Sequence, residues 1–138
     1  MADVLNTWIA SGKRKRAIAK ASAKPGTGKI TINNIPYENL SSQFHRLLIK
    51  EPVQIATETL GNLNFDIKVG ISGGGNEGQI EAARLAIAKV LVLATKSIEL
   101  RKAFLAYDRG LLVADTRRKE PYKPGDSKAR AKRQKSYR

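Results

Sequence analysis

An α+β domain, with a small sheet covered on one face by helices, is what the sequence predicts, and three observations carry that reading. Phe65, Ile67, Val69 and Ile71 alternate with Asp66, Lys68 and Gly70, and a period of two marks a strand with one buried face. Ile80, Ala83, Ile87, Leu91 and Ala94 recur at helical spacing, which predicts an amphipathic helix of about 15 residues or more. Short strand patterns come before this pair and a further helix after it, an irregular order that suits an α+β fold.

Taken in order, Thr7–Gly12 reads as a short strand. Residues 17–24 are ambiguous by propensity, because alanine favours helix, but their alternation argues for a strand. The odd positions from 17 to 23 are all alanine, whereas the even positions are Arg14, Arg16, Ile18, Lys20, Ser22 and Lys24. Such a strand has one smooth face that lets a helix pack close. Its other face is mostly basic, fit to lie on phosphates or to stand solvated. Pro25–Gly28 is a turn, and Lys29–Asn33 is expected as the returning strand of a hairpin with residues 17–24. Tyr37–Leu60 is expected to be helical with a break. Ser41 or Ser42 caps a stretch carrying Phe44, Leu47 and Leu48. Pro52 interrupts or restarts it after Glu51. Val53, Ile55, Ala56 and Leu60 form the second stripe, ended by Gly61-Asn62. Beyond the strand at 65–71 and the long helix, another helix starts near Ser97 with Leu100, Phe104 and Tyr107 in register, and Gly110 is its expected stop.

Charge narrows the function. The 138 residues hold 26 Lys plus Arg against 12 Asp plus Glu, a net of +14. Such a chain repels itself and calls for a polyanion, of which nucleic acid is the commonest. A membrane surface is the rival. However, no uninterrupted apolar run approaches the roughly 18 residues a spanning helix needs. Met1–Asn6 also lacks the basic-then-apolar build of a signal peptide. With no cysteine, disulfides, thiolate catalysis and cysteine zinc sites are excluded. His45 is the single histidine, so no histidine-rich metal cluster can be assembled. His45 itself reads as a partly exposed helix residue, with an RNA contact as the alternative.

The excess charge is concentrated. Residues 1–115 carry 16 basic and 10 acidic side chains, a net of +6, whereas residues 116–138 carry 10 and 2, a net of +8. The chain is therefore divided into a globular domain, 1–115, and a basic C-terminal tail, 116–138. The tail also holds Pro121, Pro124 and Gly125 and little that is apolar beyond Tyr122, Tyr137 and two alanines, too little to offset its ordering entropy. It is expected to be disordered when free and extended when bound, with a reach of roughly 75 Å. Lys128, Arg130, Lys132, Arg133, Lys135 and Arg138 follow one another closely there, as contacts to RNA phosphates or as a solvated basic run.

Ser72-Gly73-Gly74-Gly75-Asn76-Glu77-Gly78, between a strand and a helix, supports three readings. Glycines and a helix N-terminus cradle phosphates, either of a nucleotide or of RNA; alternatively the glycines serve a tight turn at positive φ. The Walker and dinucleotide patterns are both absent. Catalysis would need a poised base or metal ligands, and the candidates Glu77, Glu81, Asp66 and Asp108 are commonly solvated or capping groups. No enzyme, cofactor or metal site is expected.

At Gly73-Gly74-Gly75-x-x-Gly78-Gln79-x-x-Ala82-x-x-x-Ala86-x-Ala88-Lys89 the sequence resembles the family of the universal ninth protein of the small ribosomal subunit. The similarity continues in order along nearly the whole chain, through Gly12-Lys13-Arg14-Lys15, Gly28-Lys29-Ile30-Thr31-Ile32-Asn33, Glu51-Pro52, Tyr107-Asp108-Arg109 and Asp115-x-Arg117-x-x-Glu120. The ending Gln134-Lys135-Ser136-Tyr137-Arg138 is similar to the archaeal and eukaryotic branch, and Ala131-Lys132-Arg133 leans archaeal. The resemblance implies a two-layer α+β sandwich with a mixed sheet and a left-handed βαβ crossover, in the cytoplasmic small subunit's head. That fold is shared with some small-molecule kinases, whose acidic magnesium ligands are not found here. The implied partners are small-subunit rRNA, P-site transfer RNA and neighbouring head proteins, with no membrane and no homo-oligomer. By position, Lys13, Arg14, Lys15, Arg16, Lys20, Arg109, Arg117, Arg118, Lys119, Lys123, Lys128, Arg130, Lys132 and Arg133 are assigned to rRNA, with Gly73, Gly74 and Gly75 on the phosphate reading of the loop. Lys135, Tyr137 and Arg138 are assigned to transfer RNA.

Overall fold

A computed structural model describes residues 6–125, 129–130 and 136–137. Five strands and three helices make up the body. The strands are β1 (Trp8–Arg14), β2 (Ala17–Pro25), β3 (Ile30–Ile32), β4 (Ile35–Pro36) and β5 (Phe65–Ser72); the helices are α1 (Gln43–Leu60), α2 (Asn76–Thr95) and α3 (Ile98–Tyr107). Short 3-10 turns cover Tyr37–Asn39 and Arg109–Leu111. The strands form one mixed sheet in the order β1-β2-β5-β3-β4. The helices cover one face of it, and α2 packs on β1, β2 and β5. Residues 116–125 carry neither helix nor strand and are exposed throughout.

The alternation in residues 17–23 is realised as a strand. Ala17, Ala19, Ala21 and Ala23 are all fully buried. Alanine there is a packing choice: a face of methyl groups keeps the sheet thin under α2. Gly12 on β1 continues the same seam, and a Cβ at that position would stand 2.3 Å from the Ala82 carbonyl oxygen and 2.8 Å from the Ala86 amide nitrogen. Helix α2 is consequently apolar almost all round, with Ile80, Leu85, Ile87, Val90 and Leu91 buried along with four of its alanines, because α1 packs against it as well as the sheet.

Strand pairing departs from expectation. Residues 17–24 do not form a hairpin with 29–33. β2 pairs with β1, Arg14 opposite Ala17, and the basic run Lys15-Arg16 is itself the two-residue turn, with Lys15 at φ +52°. The other edge of β2 is taken by β5, antiparallel from Ile18–Ser72 to Pro25–Phe65. This long ladder satisfies more backbone groups than the three residues of β3 could. The loop after β2 steps over the start of β5 and is pinned there. The Gly26 amide donates to the Asn64 carbonyl at 2.8 Å, and the Asp66 carboxylate accepts from the amides of Thr27 at 2.8 Å and Lys29 at 3.0 Å. β3 therefore lands on the far side of β5 and runs parallel to it, with α1 as the crossover. The two-residue strand β4, absent from the sequence reading, follows Asn33-Asn34 at φ +48° and +67°, the paired positive dihedrals of a type I′ turn.

Pro52 does not break α1. The helix is continuous from its Ser42 cap, whose hydroxyl accepts from the His45 amide, to Gly61 at φ +81°. A proline in a helix interior loses one hydrogen bond and costs about 3 kcal/mol, offset in part by burial of its ring beside Ile49 and Ala56. The buried stripe of α1 is thus Ile49, Pro52 and Ala56, while Phe44 and Leu47, expected inward, are 60% and 58% exposed. α3 begins after its Ser97 cap as expected and ends at Tyr107, three residues before Gly110, where Asp108 turns the chain and accepts from the Gly110 amide.

The Gly12 contact is testable. Gly12→Ala drives a methyl into helix backbone, which has no side-chain rotamer to yield, and is expected to cost about 3 kcal/mol. Urea unfolding would show the loss as a lower midpoint at unchanged slope. A midpoint equal to wild type would mean that α2 is not held so close.

Candidate nucleic-acid interface

Three segments far apart in sequence meet at one end of the sheet. The β1–β2 turn brings Arg14, Lys15 and Arg16; the β5–α2 loop brings Gly74 and Gly75; the start of the tail brings Arg117, Arg118 and Lys119. Together they line a cleft of about 670 Å³. Gly73 and Gly74 lie at φ +73° and +67°. A Cβ on Gly73 would come within 2.8 Å of the Arg16 carbonyl oxygen, and one on Gly74 within 2.8 Å of the Ala17 nitrogen. The packing-turn reading of the glycines therefore has direct support: they let the loop close on the hairpin. The Gln79 side chain locks the loop by donating to the Gly73 carbonyl at 3.0 Å. The loop also opens α2 toward the cleft. Its N-cap, Gly75, supplies no side-chain acceptor, so the positive end of the helix dipole adds to the cationic field.

Arg14 sits apart from the solvent-facing basic stripe in which alternation places it. As a β1 residue it points to the helix side, 18% exposed, and ion-pairs with Glu81 of α2 at 2.5 Å and with Asp115. Asp115 also takes Arg117: its Oδ1 accepts from the Arg117 amide at 2.8 Å, and its Oδ2 accepts from Nη2 at 2.7 Å. Arg118 donates from Nη1 to the Asp115 carbonyl at 2.8 Å. Arg16, Lys15 and Lys119 are exposed.

The uncovered sheet face is the second basic surface. Cross-strand pairing sets Lys20 opposite Ser11 and Gly70, and Lys68 opposite Ser22 and Thr31. Partners directly opposite share a face, so Lys13, Lys20, Lys24 and Lys68 stand together, with Asp66 as the acidic residue among them. Lys20 and Lys68 border a shallow groove of about 440 Å³ that also exposes Ser22, Thr31, Asn33 and Asn34. Lys68 is absent from the sequence-derived candidates. Its own alternation put it on the polar face of β5, but only the register shows it next to Lys20.

Arg109 lies in the 3-10 turn after α3, exposed, on a groove shared with Lys13, Phe44 and Val113. That turn is held by a network the sequence did not reveal. Arg84 of α2 ion-pairs with Glu51 and, at 3.0 Å, with Asp108, and the Tyr107 hydroxyl donates to Glu51 at 2.6 Å. Burial, the largest influence on Arg84, pulls its pKa down, but the hydrogen bonds to Glu51 and Asp108 outweigh it and leave the pKa raised. The Gly110 amide, and then Arg84, lower the pKa of Asp108. The hydrogen bond to Glu51 raises that of Tyr107.

Along the tail, Arg130 pairs with Glu120 at 3.1 Å, Lys119 lies 4.6 Å from the centre of the Tyr122 ring, and Lys123 and Tyr137 are exposed. Lys128, Lys132, Arg133, Lys135 and Arg138 fall outside the described residues.

A family model described as ribosomal protein S9/S16 matches residues 12–138. The small ribosomal subunit protein uS9 of Methanococcus maripaludis (strain C7 / ATCC BAA-1331) is 50% identical over 129 residues, covering 92% of this chain and 95% of that protein. Its counterpart in Methanococcus vannielii is 47% identical over the same length, with the same coverage. These relatives are archaeal, the branch that the C-terminal residues resemble.

The carboxylate pins predict an acid limit to stability. Asp66, whose pKa is lowered chiefly by the Lys29 amide, and Asp108 are both shifted below 3.8. Their contribution is present above the unfolded-state value and is lost as pH falls through the lower folded values. Asp66→Asn and Asp108→Asn should each flatten the fall in melting temperature between about pH 4.5 and pH 2. Unchanged acid dependence in both variants would contradict the assignment.

Proposed function

The chain belongs to the ribosomal protein S9/S16 family, and from that premise we propose that its basic surfaces hold small-subunit ribosomal RNA in the subunit head while the end of its tail meets P-site transfer RNA. It is a structural, non-enzymatic component of the small ribosomal subunit, in the cytoplasm. The observation that carries the RNA reading is the cleft itself. Cations from the hairpin turn and the tail root, separated by about a hundred residues, are brought to one place, with net charge left over after the local carboxylates are paired. An open face of lysines, hydroxyls and amides on the sheet extends the surface. Neither surface has the aromatic platform needed for base stacking; the chemistry is that of phosphate and sugar contact.

The tail supplies more than half of the net positive charge, +8 of +14. Residues 116–125 contribute no buried side chain to the body, which supports an arm that leaves the domain at Asp115 and becomes ordered on its polyanion. Each Lys or Arg that meets a phosphate releases condensed counterions, so affinity falls with salt in proportion to the number of phosphates neutralised. Lys135, Tyr137 and Arg138 stand at the far end of that arm, where the transfer RNA contact is proposed.

Removing residues 116–138 is expected to leave the circular dichroism spectrum of the body intact and to weaken rRNA binding strongly. If the tail neutralises about 8 phosphates, the slope of log affinity against log salt should become shallower by about 6 without it. A truncated chain with the wild-type slope would rule out the tail as the main contact. Separately, deleting Arg138 should weaken P-site transfer RNA binding while assembly proceeds, because its guanidinium forks onto phosphate. Filter binding on reconstituted subunits measures this, and equal affinity with and without Arg138 would remove the transfer RNA assignment.

A further inference from the structure

We propose that Asp115 is the positioning residue of this interface: its carboxylate, held by Arg14, sets where Arg117 and Arg118 leave the body, so that an acidic side chain strengthens binding to a polyanion. The inference rests on the RNA-binding reading above. Arg14 is tied to Glu81 of α2, so whatever it holds is referred to the rigid core. What it holds is Asp115, whose side chain is only 27% exposed. Oδ2 accepts from Arg117 at 2.9 Å (Nε) and 2.7 Å (Nη2), while Oδ1 accepts from the Arg117 amide at 2.8 Å. Arg117 itself is 80% exposed, so its guanidinium still presents a free edge. Arg118 folds over the same corner, with Nη1 donating to the carbonyls of Asp115 at 2.8 Å and Arg117 at 2.9 Å. One partly buried carboxylate thus ties Arg117 to the hairpin and, through Arg14, to helix α2, while the backbone carbonyl of the same residue holds Arg118, at the mouth of the cleft lined by Arg117 and Arg118.

Two effects of opposite sign act at this position. Simple Coulomb repulsion says that losing Asp115 raises the net charge from +14 to +15 and should tighten binding. Pre-organisation says that a guanidinium already placed loses less freedom when it meets phosphate, and that a released tail root forfeits its hold on the RNA. The short, multiply bonded geometry favours the second. Glu120 is the internal comparison: it is exposed, paired with Arg130 at 3.1 Å within the tail, and neutralising it changes the net charge by the same amount without touching the anchor.

The test compares full-length wild type, Asp115→Asn, Asp115→Glu and Glu120→Gln. Each is titrated onto small-subunit rRNA transcribed in vitro across a range of KCl, with melting temperature measured in parallel. Asp115→Asn should bind about three- to tenfold more weakly, with a salt slope shallower by about one, because Arg117 loses its place. Asp115→Glu should recover part of the loss, and Glu120→Gln should bind at least as tightly as wild type. Asp115→Asn binding as tightly as wild type or tighter, alongside Glu120→Gln, overturns the proposal and leaves the RNA reading standing. Absence of salt-dependent binding by wild type overturns both. Should Asp115→Asn also melt lower, Arg117→Gln keeps the question open to decision, since it removes the tail-side partner and spares the Arg14–Glu81 brace. Its loss should be sub-additive with Asp115→Asn, and additive losses count against the shared anchor.

Discussion

Helix α2 rests on β1 and β2 where the sheet offers only Gly12 and the fully buried alanines 17, 19, 21 and 23, and the rest of the molecule is arranged around that approach. A side chain at Gly12 would meet the backbone of α2 and push the helix off the hairpin. Because the helix is close, the β5–α2 loop must also be close, and two glycines at positive φ let it pass over Arg16 and Ala17. The cleft follows from this geometry: the hairpin turn, the start of α2 and the exit of the tail are neighbours because α2 is seated low on β1 and β2. The packing and the cleft are therefore consequences of one choice of small residues.

The charges fall into two groups with different work to do. Arg14 and Arg84 are largely buried and fully engaged with Glu81, Asp115, Glu51 and Asp108. Half-buried pairs of this kind fix geometry more than they add stability, since desolvation takes back part of the Coulomb gain. Lys15, Arg16, Lys20, Lys68, Lys119 and Lys123 are exposed and owe the fold little. A protein that must keep a large cationic surplus apart until it meets RNA has reason to separate these groups. The carboxylates of the helical layer are used to brace arginines at the seams, and the sheet face and tail are left nearly free of acid.

Much of the fold was legible because its signals are local. Alternation placed Ala17–Lys24 and Phe65–Ile71 as strands with the correct buried faces, and helical spacing placed α2 and α3, the latter starting near Ser97. Phe44 and Leu47 misled because apolar residues at helical spacing read as core, whereas α1 turns Ile49, Pro52 and Ala56 inward. Pro52 misled because the cost of a missing amide is visible in sequence and the compensating burial is not. The site was half legible: the cations of the hairpin and tail are plain from charge alone, while Lys68 and the bracing roles of Glu81, Arg84 and Asp115 depend on neighbours far away along the chain.

From the sequence alone came the polycationic character, the concentration of net charge in residues 116–138, the faces of the principal strands and the family. These depend on composition, short-range periodicity and ordered motifs, which survive without knowledge of contacts. Which strands pair, and which arginines are bound by carboxylates and which stand exposed, were decided only in three dimensions. A strand's hydrogen-bonding edges are the same whatever its sequence, so partner choice is left to long-range register and to the loop that Asp66 pins across β5. That choice moved β3 to the far side of β5, made Lys15-Arg16 a turn, and brought the glycines and the tail root to the same cleft.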